Sequence, residues 1–226
     1  MTQTRLEDAT TIYLARHADA IPELGEHVDA EGYEAFGLSV RGVAQAAALA
    51  RRLLAHRTIA AVYSSPARRA RETAQPIGAA FGLEVQMDER LHEVGREDGS
   101  LAALPVAERG AAVRDYLSRF ARIAWRDGTW TALEGTEPPR SVRERMRESV
   151  LEIALRHRGQ RVVAVSHAGA INAFFAALLG LSRDFFFPTG NAALSVVRVT
   201  DAGMLLVRLN DTAHLEGHPT LERGAR

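Results

Sequence analysis

The run Arg161-Val162-Val163-Ala164-Val165-Ser166 passes, with only His167 between, into the apolar stretch Ala168 to Leu179. A β-branched run of this kind is a buried central strand. A strand that ends directly at a helix start is the repeating step of an α/β sheet. The remainder of the chain alternates in the same way. Strands are predicted over Thr11 to Arg16, Ile59 to Tyr63 and Leu83 to Met87. A helix capped by Ser39 carries Val43, Ala46, Ala47, Ala50, Leu53 and Leu54 on one expected face. Ser65-Pro66 opens another, and Ser141-Val142-Arg143-Glu144 reads as a capping box for a helix to about Arg158. Ala193 to Thr200 and Met204 to Leu209, joined by Asp201-Ala202-Gly203, read as a hairpin. The periodicity thus predicts an α/β protein with a largely parallel sheet.

In such sheets ligands bind beyond the carboxyl ends of the strands. Three predicted strand ends carry chemistry here: Arg16-His17, Ser64 to Arg69, and Ser166-His167. Parallel strands bring these remote segments together, and helix starts at Pro66 and Ala168 aim N–H groups and positive dipole ends at the same crevice. Two His and two Arg around an anion suit phosphoryl transfer: guanidinium groups cradle the phosphoryl oxygens while a neutral imidazole attacks in line. Neighbouring cations disfavour protonation of the imidazole. A leaving alkoxide needs a proton, for which Glu93 and Glu97 are both placed as candidates after the third strand.

Composition narrows the partners. Formal charge is zero, with 28 basic and 28 acidic residues, which predicts no nucleic-acid and no membrane partner. Every basic residue is Arg, so their number is a matter of genomic composition and only their positions inform. The absence of Cys excludes a thiolate nucleophile and Cys-ligated zinc. Ala168 to Leu181 is shorter than the roughly 20 residues a spanning helix needs. With no apolar leader evident, the expected location is cytoplasmic. Assembly is not written in the sequence, a homodimer being the default.

These residues, in this order, resemble the histidine phosphatase, or phosphoglycerate-mutase-like, superfamily. Leu14-Ala15-Arg16-His17-Ala18-Asp19 resembles its Arg-His-Gly signature, and Leu38-Ser39-Val40-Arg41-Gly42 with Gln45-Ala46 resembles its Leu-Thr-x-x-Gly-x-x-Gln-Ala start. Ser64-Ser65-Pro66-Ala67-Arg68-Arg69-Ala70 through Thr73-Ala74 is similar to its Ser-Ser-Pro element. Leu91-His92-Glu93 resembles the acid-bearing segment, Gly135-Thr136-Glu137 the Gly-Glu-Ser region, and Val165-Ser166-His167-Ala168-Gly169 the Ser-His-Gly-Gly segment.

The resemblance implies a three-layer α/β/α sandwich spanning residues 1–226 as a single domain, with a helical insertion over about 95–139. It also implies metal-independent hydrolysis of a small organic phosphate through a phosphohistidine, with no cofactor. His17 would be the nucleophile. Arg16, Arg69, His167 and the head of the helix at Ala168 would hold the phosphoryl group, and Glu93 would donate the proton. Ala18 and Ala168 depart from the family's glycines, while Ala20 and Glu23 stand where many members carry Thr and Asn. No Tyr follows Glu93, which favours a phosphatase over a phosphoglycerate-mutase-type phosphotransferase. Two other readings remain open. One is a metallohydrolase using His17, Asp19, His167 and His214; the other is a non-catalytic phosphate-binding module.

Overall fold

The computed structural model describes residues 9–20, 37–55, 58–95 and 106–216. Its order is β1 (Thr10–Arg16), α1 (Val40–Leu54), β2 (Ala61–Ser64), α2 (Arg68–Phe81), β3 (Val85–Met87), α3 (Val106–Asp127), α4 (Pro139–Arg156), β4 (Arg161–Ser166), α5 (Ala168–Leu178), β5 (Leu194–Thr200) and β6 (Gly203–Asp211). Short 3-10 turns cover Glu89–Leu91 and Ala213–Leu215. The strands form one sheet in the order β3-β2-β4-β1-β5-β6. The pairs β2–β3, β2–β4 and β1–β4 are parallel, whereas β5 runs antiparallel to both β1 and β6. The expected hairpin is therefore present, and so is the mostly parallel sandwich.

Strand alternation sorts the core into two layers. Ile12 and Leu14 of β1, with Val162 and Ala164 of β4, face α4 and α5; Tyr13, Ala15, Val163 and Val165 face α1 and α2. Each fully buried large aliphatic chain contributes about 1.5–3 kcal/mol relative to exposure. β4 is thus fixed at the centre because it supplies such groups to both faces. α3 adds Phe120 and Ile123 to the α4–α5 side. No helix among the described residues is long and apolar enough to cross a membrane.

Several local expectations are corrected. α1 does not bury Val43 or Leu54, which are 60% and 47% exposed. Its inner face is instead Gly42, Gln45, Ala46, Leu49 and Leu53, together with Ala48 and Ala50. The stripe is displaced because Gly42 and Gln45 contact the loop after β1, and an apolar pattern cannot register either. α4 begins at Pro139, not Ser141, because a proline at the first helical position loses no needed N–H. α2 begins at Arg68, with Ala67 at its cap; Ser65 Oγ accepts from Ala67 N (3.3 Å) in the turn before it. Ser39 does cap α1, accepting from Gly42 N at 3.0 Å. Ala168 to Leu178 is a helix with eight buried residues, as the apolar run requires.

Candidate active site

Three strands open at one edge of the sheet. Arg16 of β1 pairs with Ser166 of β4, and Ser64 of β2 pairs with Val165. The ladder continues one step beyond: His17 N donates to Ser166 O (2.9 Å) and Ser65 N to Val165 O (3.0 Å). This parallel register brings His17, Ser65 and His167 together despite the 150 positions between the two histidines.

Both imidazoles are buried, His17 at 4% exposure and His167 at 0%, with ring centroids 5.0 Å apart. His17 Nδ1 lies 2.7 Å from Ala18 O. A carbonyl can only accept, so Nδ1 carries the proton and Nε2 keeps its lone pair. Burial, then Arg69 and Arg16, hold His17 well below the ordinary histidine pKa. His167 is also lowered, by burial, then Arg69, then His17. Arg69 Nη2 stands 3.2 Å from His167 Nδ1 and can only donate, which places the His167 proton on Nε2, directed at Ser65 Oγ (2.8 Å). Ser65 is therefore more than a turn residue, a role its position before Pro66 conceals.

The cations reach the site along different routes. Arg69, fully buried in the first turn of α2, is tied to the His17 loop through Thr73, whose Oγ1 donates to Arg69 O (2.7 Å) and accepts from Ala18 N (3.0 Å). Arg16 Nη1 donates to Thr189 O (2.5 Å). That loop is held by buried Asn172 of α5, whose amide donates to Phe187 O and Thr189 Oγ1 and accepts from Phe186 N and Phe187 N. Arg68 pairs with Glu72 on the surface, as its position before Arg69 suggests. Ala18 buries its methyl in the α1–α2 core. The extra carbon relative to glycine is absorbed by packing.

Asp19 anchors the loop that follows His17. Its carboxylate accepts from Ser39 Oγ (2.6 Å), Arg41 Nη2 (2.6 Å) and Asn191 Nδ2 (3.3 Å), and its backbone N–H donates to Gln45 Oε1 (2.9 Å). A Cβ on Gly42 would lie 2.0 Å from Asp19 O, so only glycine lets α1 approach this closely. Among the described residues no group of three or more His, Asp or Glu side chains is arranged to hold a metal ion. His214 sits in the turn Ala213–Leu215, where burial lowers its pKa.

Glu93 is placed at the head of α5. Its Oε1 accepts from Val94 N (3.0 Å) and Ala170 N (3.0 Å), and Oε2 from Gly169 N (3.2 Å). His167 is the N-cap residue of that helix and Ala168 its first residue. Glu93 thus stands within one helical turn of His167. Glu97, Glu23, His27, His56 and His218 lie outside the described residues. Sequence reasoning placed Ser65 in the segment Ser64 to Arg69 but not its bond to His167, and it missed Thr73 as a part of the constellation and Asn172 and Gln45 as its supports. Each is a polar residue at a buried helical or strand-end position, a mismatch the sequence shows, and Gln45 and Thr73 also fall within the segments that resemble the family's.

Known proteins resemble this chain in sequence and in fold. A family model described as histidine phosphatase superfamily (branch 1) matches residues 12–212. Phosphoserine phosphatase 1 of Hydrogenobacter thermophilus is 33% identical over 180 residues, covering 79% of this chain and 82% of its own. The metal-independent phosphoserine phosphatase of Arabidopsis thaliana is 29% identical over 221 residues, 96% of this chain and 88% of that one. A mycobacterial glucosyl-3-phosphoglycerate phosphatase superposes with a TM-score of 0.69 at 29% identity, covering 90% of this chain and all of its own.

Proposed function

This chain belongs to the histidine phosphatase superfamily and is a phosphoric monoester hydrolase, and from that premise we propose that it works without metal through a phosphohistidine on His17. The observation that carries the reading is the locked tautomer: Nδ1–H is given to Ala18 O, so the lone pair resides on Nε2. Burial and two adjacent guanidinium groups keep that imidazole neutral.

In the first step Nε2 attacks phosphorus and the P–O ester bond breaks. Glu93, in its acid form, gives its proton to the departing alkoxide. Arg16 and Arg69 hold the phosphoryl oxygens, and His167 offers them the Nε2–H that Ser65 otherwise accepts. In the second step Glu93 takes a proton from water, the water oxygen attacks phosphorus, and the P–N bond breaks to return neutral His17 and inorganic phosphate. The head of α5 at Ala168 adds positive dipole character beside the transferred group.

The substrate class we infer is a small phosphate ester that also carries a carboxylate. It is supported by the names of the similar proteins, which act on phosphoserine and on glucosyl-3-phosphoglycerate. Rapid quench with a radiolabelled aryl phosphate tests the mechanism. An acid-labile phosphoenzyme is expected from the native protein and none from His17→Ala. Activity that vanishes with a chelator and returns with added metal refutes metal independence. A panel of phosphoserine, glucosyl-3-phosphoglycerate, 3-phosphoglycerate and uncharged sugar phosphates tests the substrate class, which fails if the carboxylate confers no advantage in kcat/KM. Glu93→Gln is expected to slow esters with poor leaving groups more than those with good ones.

A further inference from the structure

Among the described residues the backbone of the segment that carries Glu93 joins no sheet ladder and no helix after the turn Glu89–Leu91, yet four consecutive carbonyls, from Arg90 to Glu93, are bonded by side chains. Arg145 of α4 donates Nη1 to Arg90 O (2.7 Å) and His92 O (2.8 Å), and Nη2 to Glu93 O (3.0 Å). Ser166 Oγ takes Leu91 O (2.7 Å), and His92 Nδ1 shares Glu93 O (2.5 Å). Arg145 gives its remaining donors to Glu137, Nε to Oε1 and Nη2 to Oε2, both at 2.8 Å. An arginine has five N–H donors, and these five bonds use all of them on Glu137 and the acid-bearing segment.

Glu137 closes the other side. Its Oε2 accepts from Gly95 N (3.2 Å), its backbone N–H donates to Gly95 O (2.9 Å), and its carbonyl accepts from the indole N–H of fully buried Trp130 (2.8 Å). The Arg145–Glu137 pair is only 12% and 14% exposed. Arg145 and Ser149 with Asp88 pull Glu137's carboxyl and the segment start onto α4; burial works to raise the Glu137 carboxyl, but the hydrogen bonds and charge of Arg145, with the Gly95 N–H and His92, together hold it below the usual carboxylate range.

We propose that Arg145 and Glu137 are positioning residues for the acid step: they fix the backbone of Arg90 to Gly95 so that the Glu93 carboxyl meets the leaving-group oxygen. The inference rests on the reading of Glu93 as the proton donor. A loop residue gains catalytic precision only when its backbone is over-determined, and displacement by about 1 Å can cost 10²-fold in rate. A bidentate fork with three further carbonyl contacts supplies that restraint, and the single ammonium of lysine cannot.

The test is a leaving-group series, from a nitrophenyl phosphate to an alkyl phosphate, on Glu93→Gln, Arg145→Lys, Glu137→Gln and the double variant Glu93→Gln/Arg145→Lys. Arg145→Lys and Glu137→Gln are expected to lose roughly tenfold or more in kcat on the alkyl ester, with a clearly smaller loss on the nitrophenyl ester. The double variant is expected to match Glu93→Gln alone on the alkyl ester. Equal losses across the series, or losses that multiply in the double variant, overturn the proposal while leaving Glu93 as the acid. If Glu93→Gln itself shows no dependence on leaving group, the acid assignment fails and the proposal with it. Should Arg145→Lys not fold, Glu137→Gln carries the test, since its amide oxygen still accepts from Arg145.

Discussion

Lowering the pH from 7.5 to 5.5 should destabilise this protein in a way that its two site histidines dictate. In the unfolded chain each titrates near 6.5, whereas in the folded protein both are held well below that value by burial and by Arg69. Below pH 6.5 the unfolded state therefore binds protons that the native state refuses. The stability present above 6.5 is lost as pH falls toward the folded pKa values. For a group that stays neutral throughout, the loss between pH 7.5 and 5.5 reaches about 1.4 kcal/mol, and for two about 2.7 kcal/mol, with His214 adding in the same direction. The partly buried carboxylates with lowered pKa, Asp88, Glu137 and Asp211, begin to contribute only nearer pH 4. For a chain of this size the loss corresponds to a Tm drop of roughly 5–11 °C. Differential scanning fluorimetry in phosphate-free buffers measures it, and His17→Asn, which removes one of the three histidines with lowered pKa, the third being His214, should lessen the pH-dependent loss by about 1.4 kcal/mol. A drop of only a degree or two, or an unchanged slope in His17→Asn, would refute the claim that both imidazoles are buried neutral. The same neutrality should keep the acid limb of the kcat/KM profile below pH 6.5.

Three other perturbations follow from the geometry. Gly169→Ala places a Cβ 2.7 Å from Glu93 Oε1 and 2.8 Å from Val94 Cγ2; stability should change by no more than about 1 kcal/mol, because gained helix propensity offsets a strained hydrogen bond. Its turnover of alkyl phosphates should fall far more than that of nitrophenyl phosphate, and a parallel fall would show that Glu93 is not displaced. Gly42→Ala drives a methyl into a backbone carbonyl that cannot turn aside, so urea unfolding should report a loss of about 3 kcal/mol or more; near-native stability would mean that α1 does not sit against Asp19. Ser65→Ala leaves the buried His167 Nε2–H without its acceptor, at a cost of about 1–3 kcal/mol. Saturating inorganic phosphate should recover much of that Tm deficit by supplying an oxygen to the same donor. An undiminished deficit would place the phosphate elsewhere.

The fold was legible where the local code is strong. Arg161 to Ser166 could be little else than a buried strand, and the two core layers follow from its alternation once helices flank both faces. Where a side chain was chosen for a contact instead of for hydrophobicity, the pattern misled. Gln45 interrupts the expected stripe of α1 because Asp19 N needs an acceptor, and the helix rotates accordingly. Ser141 resembled a cap because Glu144 follows it, but the start of α4 was decided by Pro139.

What the sequence determined by itself is the set of reactive groups and their attachment to strand ends: Arg16-His17, Ser65, Arg69 and Ser166-His167 are local facts of the chain. Tertiary structure alone decided which nitrogen of each imidazole keeps its lone pair, because that depends on partners as remote as Arg69 and Ser65 are from His167. It also decided that Arg145, an ordinary helix arginine by sequence, divides its five N–H groups between the loop bearing Glu93 and the carboxylate of Glu137. The physical reason is the range of the forces. Backbone preference and periodicity act over a few residues and can be read in one dimension, whereas hydrogen bonds between buried groups are fixed only when the sheet has brought distant segments within 3 Å or so.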